Sequence, residues 1–391
     1  MSRAAVHPFP ARMAPELAAQ KVASLEPGSV VLDPMMGSGT FPLAASGSGH
    51  RAFGCDTDPL ALIISNTAAG MFDLEDLVTH ARDVVSRASR EEEANLPVDA
   101  ETLAFIDFWF DPVAKNRLAV LADEIRKRPT SLHAPLWCAF SRLIITKDAG
   151  ASRARDVSHS RPHRVREAAT IDPLTAFLPA VQTIARRVAA SRISNVDVIP
   201  HTSSTPSLIR ADARALPLSD DCIDSVMTSP PYLVAIDYLR GHRMSLVWMG
   251  HSLSDLRSLR SSNVGSSAGS RPSKEVSALI GDVTSGELSR QAANVVARYI
   301  GDLDAVIGEI ARVLKPGGSA AFVVANAVMG GVPVSIEKIL TRVASDHSCA
   351  LVDRVSRALP ADSRYLPPPK DGPGSLAKRM KEEIVLSFTA G

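Results

Sequence analysis

Residues 29–40 read SVVLDPMMGSGT: an apolar β-branched run, then an aspartate, then a glycine-rich turn. The run is the length of one buried strand, and the apolar stretch after the turn predicts a helix over 41–48. A second short strand is expected over 51–55, with Asp56 at its end, and a helix over 59–69. Strand, turn, helix and strand in this order open a parallel α/β sheet. The same grammar returns late in the chain. A short strand is expected to end at Asp212 and another at Thr228. An amphipathic helix follows over 299–314, stopped by LKPGG with a turn at 315–318. SAAFVVAN then reads as a central strand, with further strands at 350–359 and 383–388.

The stretch between the two halves has a different character. Residues 75–127 are helix-rich, 132–147 read as one apolar helix, and 172–193 as another. Residues 148–170 are polar and basic, carrying Arg153, Arg155, Arg161, Arg164 and Arg166 against Asp156 and Glu167. Residues 253–290 are rich in Ser, Gly and charge, with SSNVGSSAGSRPSKE at 261–275 the most loop-like stretch in the chain. The expected organisation is one discontinuous α/β domain, 1–74 with 206–391, interrupted by a mostly helical insertion at 75–205. The insertion is the place for target recognition.

Composition bounds the function. The 391 residues are 45% hydrophobic and 22% charged, enough for a packed core. Lys and Arg total 43 against 42 acids, a formal charge of +1 that excludes a uniformly basic, histone-like protein but not a local basic groove. Aromatics are 5%, so the core is aliphatic, and Trp109, Trp137 and Trp248 are expected in it. Cys55, Cys138, Cys222 and Cys349 form no CxxC pair, which argues against a zinc ribbon or disulfide scaffold; no metal is expected. There is no apolar run of ~20 residues to span a bilayer, and MSRAAVHPFPARM lacks the apolar core of a secretory signal. A cytoplasmic protein is expected.

The glycine turn points to a nucleoside without phosphates. Gly37 and Gly39 let backbone approach a ligand. GxGxxG fails because Pro42 stands at its third glycine position, and no GK[ST] follows as in a P-loop. Asp33 before the turn repels phosphate and attracts an ammonium group. Asp56 is placed for a ribose diol, and Asp212 for an adenine amino group. An amine, a ribose and an adenine together describe S-adenosylmethionine.

Thr228-Ser229-Pro230-Pro231-Tyr232 follows a strand, and two consecutive prolines cannot continue a ladder. They fix a rigid loop. The exocyclic amino group of a nucleobase is a poor nucleophile, its lone pair delocalised into the ring. The Ser229 hydroxyl and Pro230 carbonyl are suited to take its hydrogens and to stabilise the charge that grows on nitrogen. Tyr232 is suited to stack on the base, a contact worth about 1–3 kcal/mol.

Together HPFPARM, LDPMMGSGT, GCDTDP and TSPPY resemble the S-adenosylmethionine-dependent amino-methyltransferases of DNA, the N4-cytosine and N6-adenine group. The resemblance implies a Rossmann-like class I methyltransferase fold with a mainly parallel sheet. It assigns Ser229, Pro230, Pro231 and Tyr232 to catalysis. It assigns Phe9, Asp33, Pro34, Met35, Gly37, Ser38, Gly39, Thr40, Asp56, Asp212 and Ala213 to the cofactor. The segment 7–12 is similar to one that packs on the methionine end of the cofactor. Here the cofactor motif precedes the catalytic one, unlike the commonest order among N4-cytosine enzymes, and Ser229 leans toward cytosine. The expected substrate is double-stranded DNA with a flipped base. A restriction endonuclease is a possible companion, and the oligomeric state is open. N6-adenine methylation, an RNA base amino-methyltransferase and an inactive cofactor-binding subunit are the alternatives. Arg240, His242 and Arg243 are candidate contacts to the target strand. Arg257, Arg260, Arg271 and Lys274, around the Ser-rich segment 258–275, are candidates to close over DNA.

Overall fold

A computed structural model describes residues 5–10, 12–93, 96–193, 204–233, 237–265, 274–358 and 382–391. Its main sheet contains β1 (Val30–Asp33), β2 (Arg51–Asp56), β3 (Ser207–Arg210), β4 (Ile223–Thr228), β5 (Leu314–Val324), β6 (Cys349–Ala358) and β7 (Glu382–Ala390). Their spatial order is β3-β2-β1-β4-β5-β7-β6. Neighbours from β3 to β5 run parallel, and β7 is antiparallel to both β5 and β6. This is a Rossmann-like class I methyltransferase fold. The chain winds outward from β1 through β2 to β3, then returns to the other side of β1 as β4. The switch point therefore lies between β1 and β4, where open α/β sheets bind ligands at the strands' carboxyl ends. Val31 faces Ser225 and Leu32 faces Val226. That register puts the end of β1, Asp33, beside the end of β4, Thr228.

Both faces of the sheet are covered, as an apolar strand run requires. Val31, Met227, Ala321 and Val323 point to one face, where the Pro15–Ala23 and Thr40–Gly47 helices pack through Leu17, Phe41 and Ala45. Leu32, Val226, Ala320 and Phe322 point to the other, against the Arg290–Val313 and Ile336–Asp346 helices. This is the period of two of a strand. A separate apolar cluster joins the Pro59–Ala69 helix to helices Leu74–Ala88, Pro112–Arg126, His133–Ile144 and Pro173–Ile193. Trp137 and Trp248 are buried in it, and Trp109 is half-buried at its edge.

The differences from the sequence reading are local. The helix expected over 299–314 begins at Arg290, because Ser289 caps it and Ala292, Val296, Tyr299 and Leu303 keep the apolar face continuous. Residues 315–318 are not a free turn. β5 already starts at Leu314, and the register jumps from Ile223/Leu314 to Ser225/Ser319, so the intervening residues bulge with Gly317 at φ 76°. β3 ends at Arg210 rather than at Asp212. The Ser-rich region 253–290 contains the Leu253–Ser262 helix, capped by Ser252 and anchored by buried Leu253 and Leu256, and the Lys274–Val283 helix, one at each end of the loop-like stretch 261–275. Arg271 lies outside the described residues. The basic tract 148–170 is also a built element: Ala154–Arg155 pairs with His163–Arg164, and Arg153 and Arg166 donate to main-chain carbonyls. No helix among the described residues is long and apolar enough to cross a membrane.

Candidate active site

The turn after β1 is shaped by two left-handed glycines and one carboxylate. Gly37 has φ 51°, and a Cβ there would stand 3.0 Å from the Phe9 ring. A larger residue would be strained at that positive φ and would press on the Phe9 ring. Gly39 has φ 78° and occupies the N-cap of the Thr40–Gly47 helix. Asp56, at the end of β2, accepts from the Gly37 amide at 2.8 Å and from the Asp58 amide at 2.9 Å. Asp58 caps the Pro59–Ala69 helix by accepting from the Leu60 amide at 2.9 Å. Its second oxygen is 2.5 Å from His242 Nδ1. The two strand ends are thus tied to each other before any ligand enters.

Packing these acids together has an electrostatic cost. Asp33 is 2% exposed. Burial, with repulsion from Asp56, pushes its carboxyl up to about 7 against the pull of the Thr228 hydroxyl and the Met35 amide. Asp56 rises to about 6, through burial first and Asp58 second. Loss of solvation disfavours the charged form of both. A cation between them would relieve the cost, and an anion would add to it.

The Ser-Pro-Pro-Tyr loop leaves β4 directly opposite. Tyr299 donates to the Pro231 carbonyl at 2.9 Å, which pins the loop to the Arg290–Val313 helix. The Tyr232 hydroxyl donates to Glu383 Oε1 of β7 at 3.3 Å, and Arg357 Nε of β6 donates to the other Glu383 oxygen at 2.8 Å. Burial and the Glu383 charge hold the Tyr232 phenol well above its usual range, so it stays protonated.

Both halves line one cleft of about 740 Å³. From the cofactor set it takes Phe9, Asp33, Pro34, Met35, Gly37, Ser38, Asp56, Asp212 and Ala213; from the catalytic set, Ser229, Pro231 and Tyr232. Gly39, Thr40 and Pro230 are not on its wall. Gly39 caps a helix, Thr40 opens on a separate cavity of about 460 Å³, and Pro230 is buried behind Ser229. Asp212 was expected to face an adenine amino group. It is on the cleft wall, and both its oxygens also accept from Arg214, at 3.0 and 2.7 Å, which continues to Asp302 at 2.7 Å. His242 was expected to meet a target strand. It is 1% exposed and serves Asp58, while Arg240 is exposed and Arg243 half-buried.

Several site residues were missed in the sequence. Arg12, Asp58, Asp237 and Tyr238 also line the cleft. Asp58 and Asp237 do carry a local signal, an aspartate immediately before a helix. Tyr299 and Glu383 carry none: they arrive from 68 and 151 residues away to hold Pro231 and Tyr232.

No protein-family model matches the chain. Among curated proteins, it is similar to the Type II methyltransferase M.MvaI of Kocuria varians, 24% identical over 425 residues that cover 97% of this chain and 89% of that one. It is also similar to the Type II methyltransferase M.BsoBI of Geobacillus stearothermophilus, 22% identical over 379 residues, covering 82% of this chain and 73% of that one. Among solved structures, a SAM-dependent methyltransferase from Methanosarcina mazei overlaps at a TM-score of 0.35 with 9% identity, covering 97% of this chain and 98% of that one. That overlap adds nothing to the topology described above.

Proposed function

We propose that this protein is an S-adenosylmethionine-dependent DNA methyltransferase that modifies the N4 amino group of cytosine. The observation that carries the reading is the adjacency of β1 and β4, which brings Asp33 and the glycine turn into one cleft with Ser229 and Tyr232. The likeness to two Type II methyltransferases supports DNA as the substrate.

The donor set fits the cofactor. Two buried carboxylates with raised affinity for protons suit a cationic ligand and disfavour a nucleotide phosphate. The Ser38 hydroxyl is buried with no hydrogen-bond partner among the described residues, on the same wall. Asp33, the Gly37 amide region, Ser38 and Asp56 would hold the ligand, with Ala213 on the adenine side. When bound, it supplies an electrophilic sulfonium methyl.

The chain's own residues do the rest by positioning. Ser229 Oγ and the Pro230 carbonyl accept the hydrogens of the target amino group and steady the positive charge that develops on its nitrogen. Tyr232 offers a ring face to the base while Glu383 and Arg357 fix its hydroxyl. Tyr299 already holds the loop with Ser229 and Tyr232 on the cleft wall; preorganisation of this kind lowers the barrier without a covalent intermediate. The catalytic unit is 1–74 with 206–391, and 75–205 serves target recognition. The base leaves the duplex to reach the cleft, at a cost of about a few kcal/mol.

The test is transfer of a labelled methyl group from S-adenosylmethionine to duplex DNA, followed by digestion to nucleosides and mass spectrometry. N4-methylcytosine is expected. N6-methyladenine would move the assignment to the other base, and label in transfer RNA alone, or none, would overturn it.

A further inference from the structure

Two short helices beside the cleft gather arginines around Asp237. The Tyr238–Leu246 helix carries Arg240 and Arg243, and the Leu253–Ser262 helix carries Arg260. Asp237 caps the first helix, accepting from the Arg240 amide at 3.3 Å, and its other oxygen is 2.8 Å from Arg260 Nε. The Arg243 guanidinium lies over the Phe105 ring at 5.2 Å, and its Nε is buried without a hydrogen-bond partner among the described residues. Asp237 and the charges of Arg260 and Arg240 all reach Arg243. Among the described residues, Asp237 is the only acid that makes an ion pair with any of the three arginines. Arg257 does not add to the excess, because Glu101 engages both of its terminal nitrogens.

Three guanidinium groups against Asp237 and the exposed Asp255 of the second helix leave an excess of one positive charge beside the cleft. Arg240 and Arg260 are exposed, and Asp237 and Arg260 are on the cleft wall. Arg240 and Arg243 are on the adjoining Tyr238–Leu246 helix, beside the cleft wall and not on it. Guanidinium forks match the oxygens of a phosphodiester in geometry as well as charge.

We propose that Arg240, Arg243 and Arg260 grip the DNA backbone phosphates that flank the nucleotide entering the cleft, and that Asp237 is their counter-ion in the free protein. This rests on the DNA reading above and names the residues that hold the strand. Asp237 then has a cost as well as a use: it orders Arg260 but competes with the phosphate for it.

The test is binding of a fluorescent DNA duplex by the full chain over a series of salt concentrations. Each lost phosphate contact removes about 0.9 from the slope of log K against log salt, so Arg240→Gln with Arg260→Gln should lower it by about 1.8. Calorimetry should show S-adenosylmethionine affinity retained in that variant. Asp237→Asn keeps the helix cap, since Asn caps as well as Asp. It removes the competing charge, so it should bind duplex several-fold tighter at low salt. Asp237→Ser, another capping residue, replaces it if the Asn variant does not fold. An unchanged slope in the double variant, or weaker binding by a folded Asp237 variant, overturns the proposal. If the wild-type chain methylates DNA and those results are still negative, only the arginine assignment falls. If the wild-type chain binds S-adenosylmethionine but no duplex at any salt, the DNA reading falls with it. Tighter binding to RNA of equal length also overturns the proposal.

Discussion

The two sides of the cleft have opposite electrostatics. Around the glycine turn, Asp33, Asp56 and Asp58 crowd together at the ends of β1 and β2, and burial lifts two of them toward neutral pH. Beside the Ser-Pro-Pro-Tyr loop, arginines outnumber acids on the 238–246 and 253–262 helices. A net charge near zero conceals this division completely. On the proposed reading one side takes a cation and the other a polyanion, with Ser229 and Tyr232 on the wall of the same cleft. Asp33 and Asp56 end strands of the sheet, and Asp58 caps the helix that follows β2. The arginines belong to surface helices, which suits recognition of a larger partner.

If the two sides divide the work in this way, substitutions should separate binding from chemistry. The largest effect is expected at Ser229→Ala, where turnover should fall by about 10²–10³ with calorimetric affinity for S-adenosylmethionine unchanged. Equal loss of both in a folded variant would remove the distinction. Asp56→Ala should act the other way. It should weaken the cofactor by roughly 10–100-fold, the range for hydrogen bonds to a charged group, while turnover at saturation stays closer to wild type. Part of that loss comes through the Gly37 and Asp58 amides that Asp56 holds.

The pH dependence sharpens the acidic side. A cationic ligand needs Asp33 ionised, yet in the free protein its carboxyl is pushed up to about 7. Below that pH a proton must leave on binding, so affinity should fall by about tenfold for each further unit. Titrations between pH 8 and pH 5 should show this in the wild type, and Asp33→Asn should flatten the profile. The linkage to stability has the opposite sense. The folded state holds the proton more tightly than the unfolded one. The ligand-free protein should therefore lose stability as pH rises from about 4 through 7, by thermal melting. The smallest expected effect is at Tyr299→Phe. Removing its 2.9 Å bond to the Pro231 carbonyl should cost about 1 kcal/mol in stability. A modest drop in turnover with cofactor affinity unchanged would show that the loop is held, and not merely shaped by its prolines.

Much of this was legible in the sequence because it is written locally. VVLD followed by two glycines identifies β1 and its turn, and CIDSVMT followed by two prolines identifies β4 and its loop. That the two strands are neighbours follows from the winding rule of open α/β sheets, although 189 residues lie between Asp33 and the start of β4 at Ile223. The partners of long-range bonds were not legible. Nothing near Tyr299 or Glu383 shows that they hold Pro231 and Tyr232, and nothing near Arg214 shows that it reaches Asp302. His242 illustrates the same limit. Its neighbours Arg240 and Arg243 suggest a surface role, but one residue's rotation on a helix turns it inward to Asp58. At 148–170 the local composition likewise gave no sign that Arg153 and Arg166 donate to main-chain carbonyls.

The claim beneath all of this is that the turn after β1 and the loop after β4 share one ligand. Direct ultraviolet photolabelling with methyl-tritiated S-adenosylmethionine, followed by peptide mapping, tests it. The account predicts label in peptides from both segments, one containing Asp33–Asp56 residues and one containing Tyr232, with excess unlabelled ligand abolishing both. Label confined to a segment remote from both would contradict it.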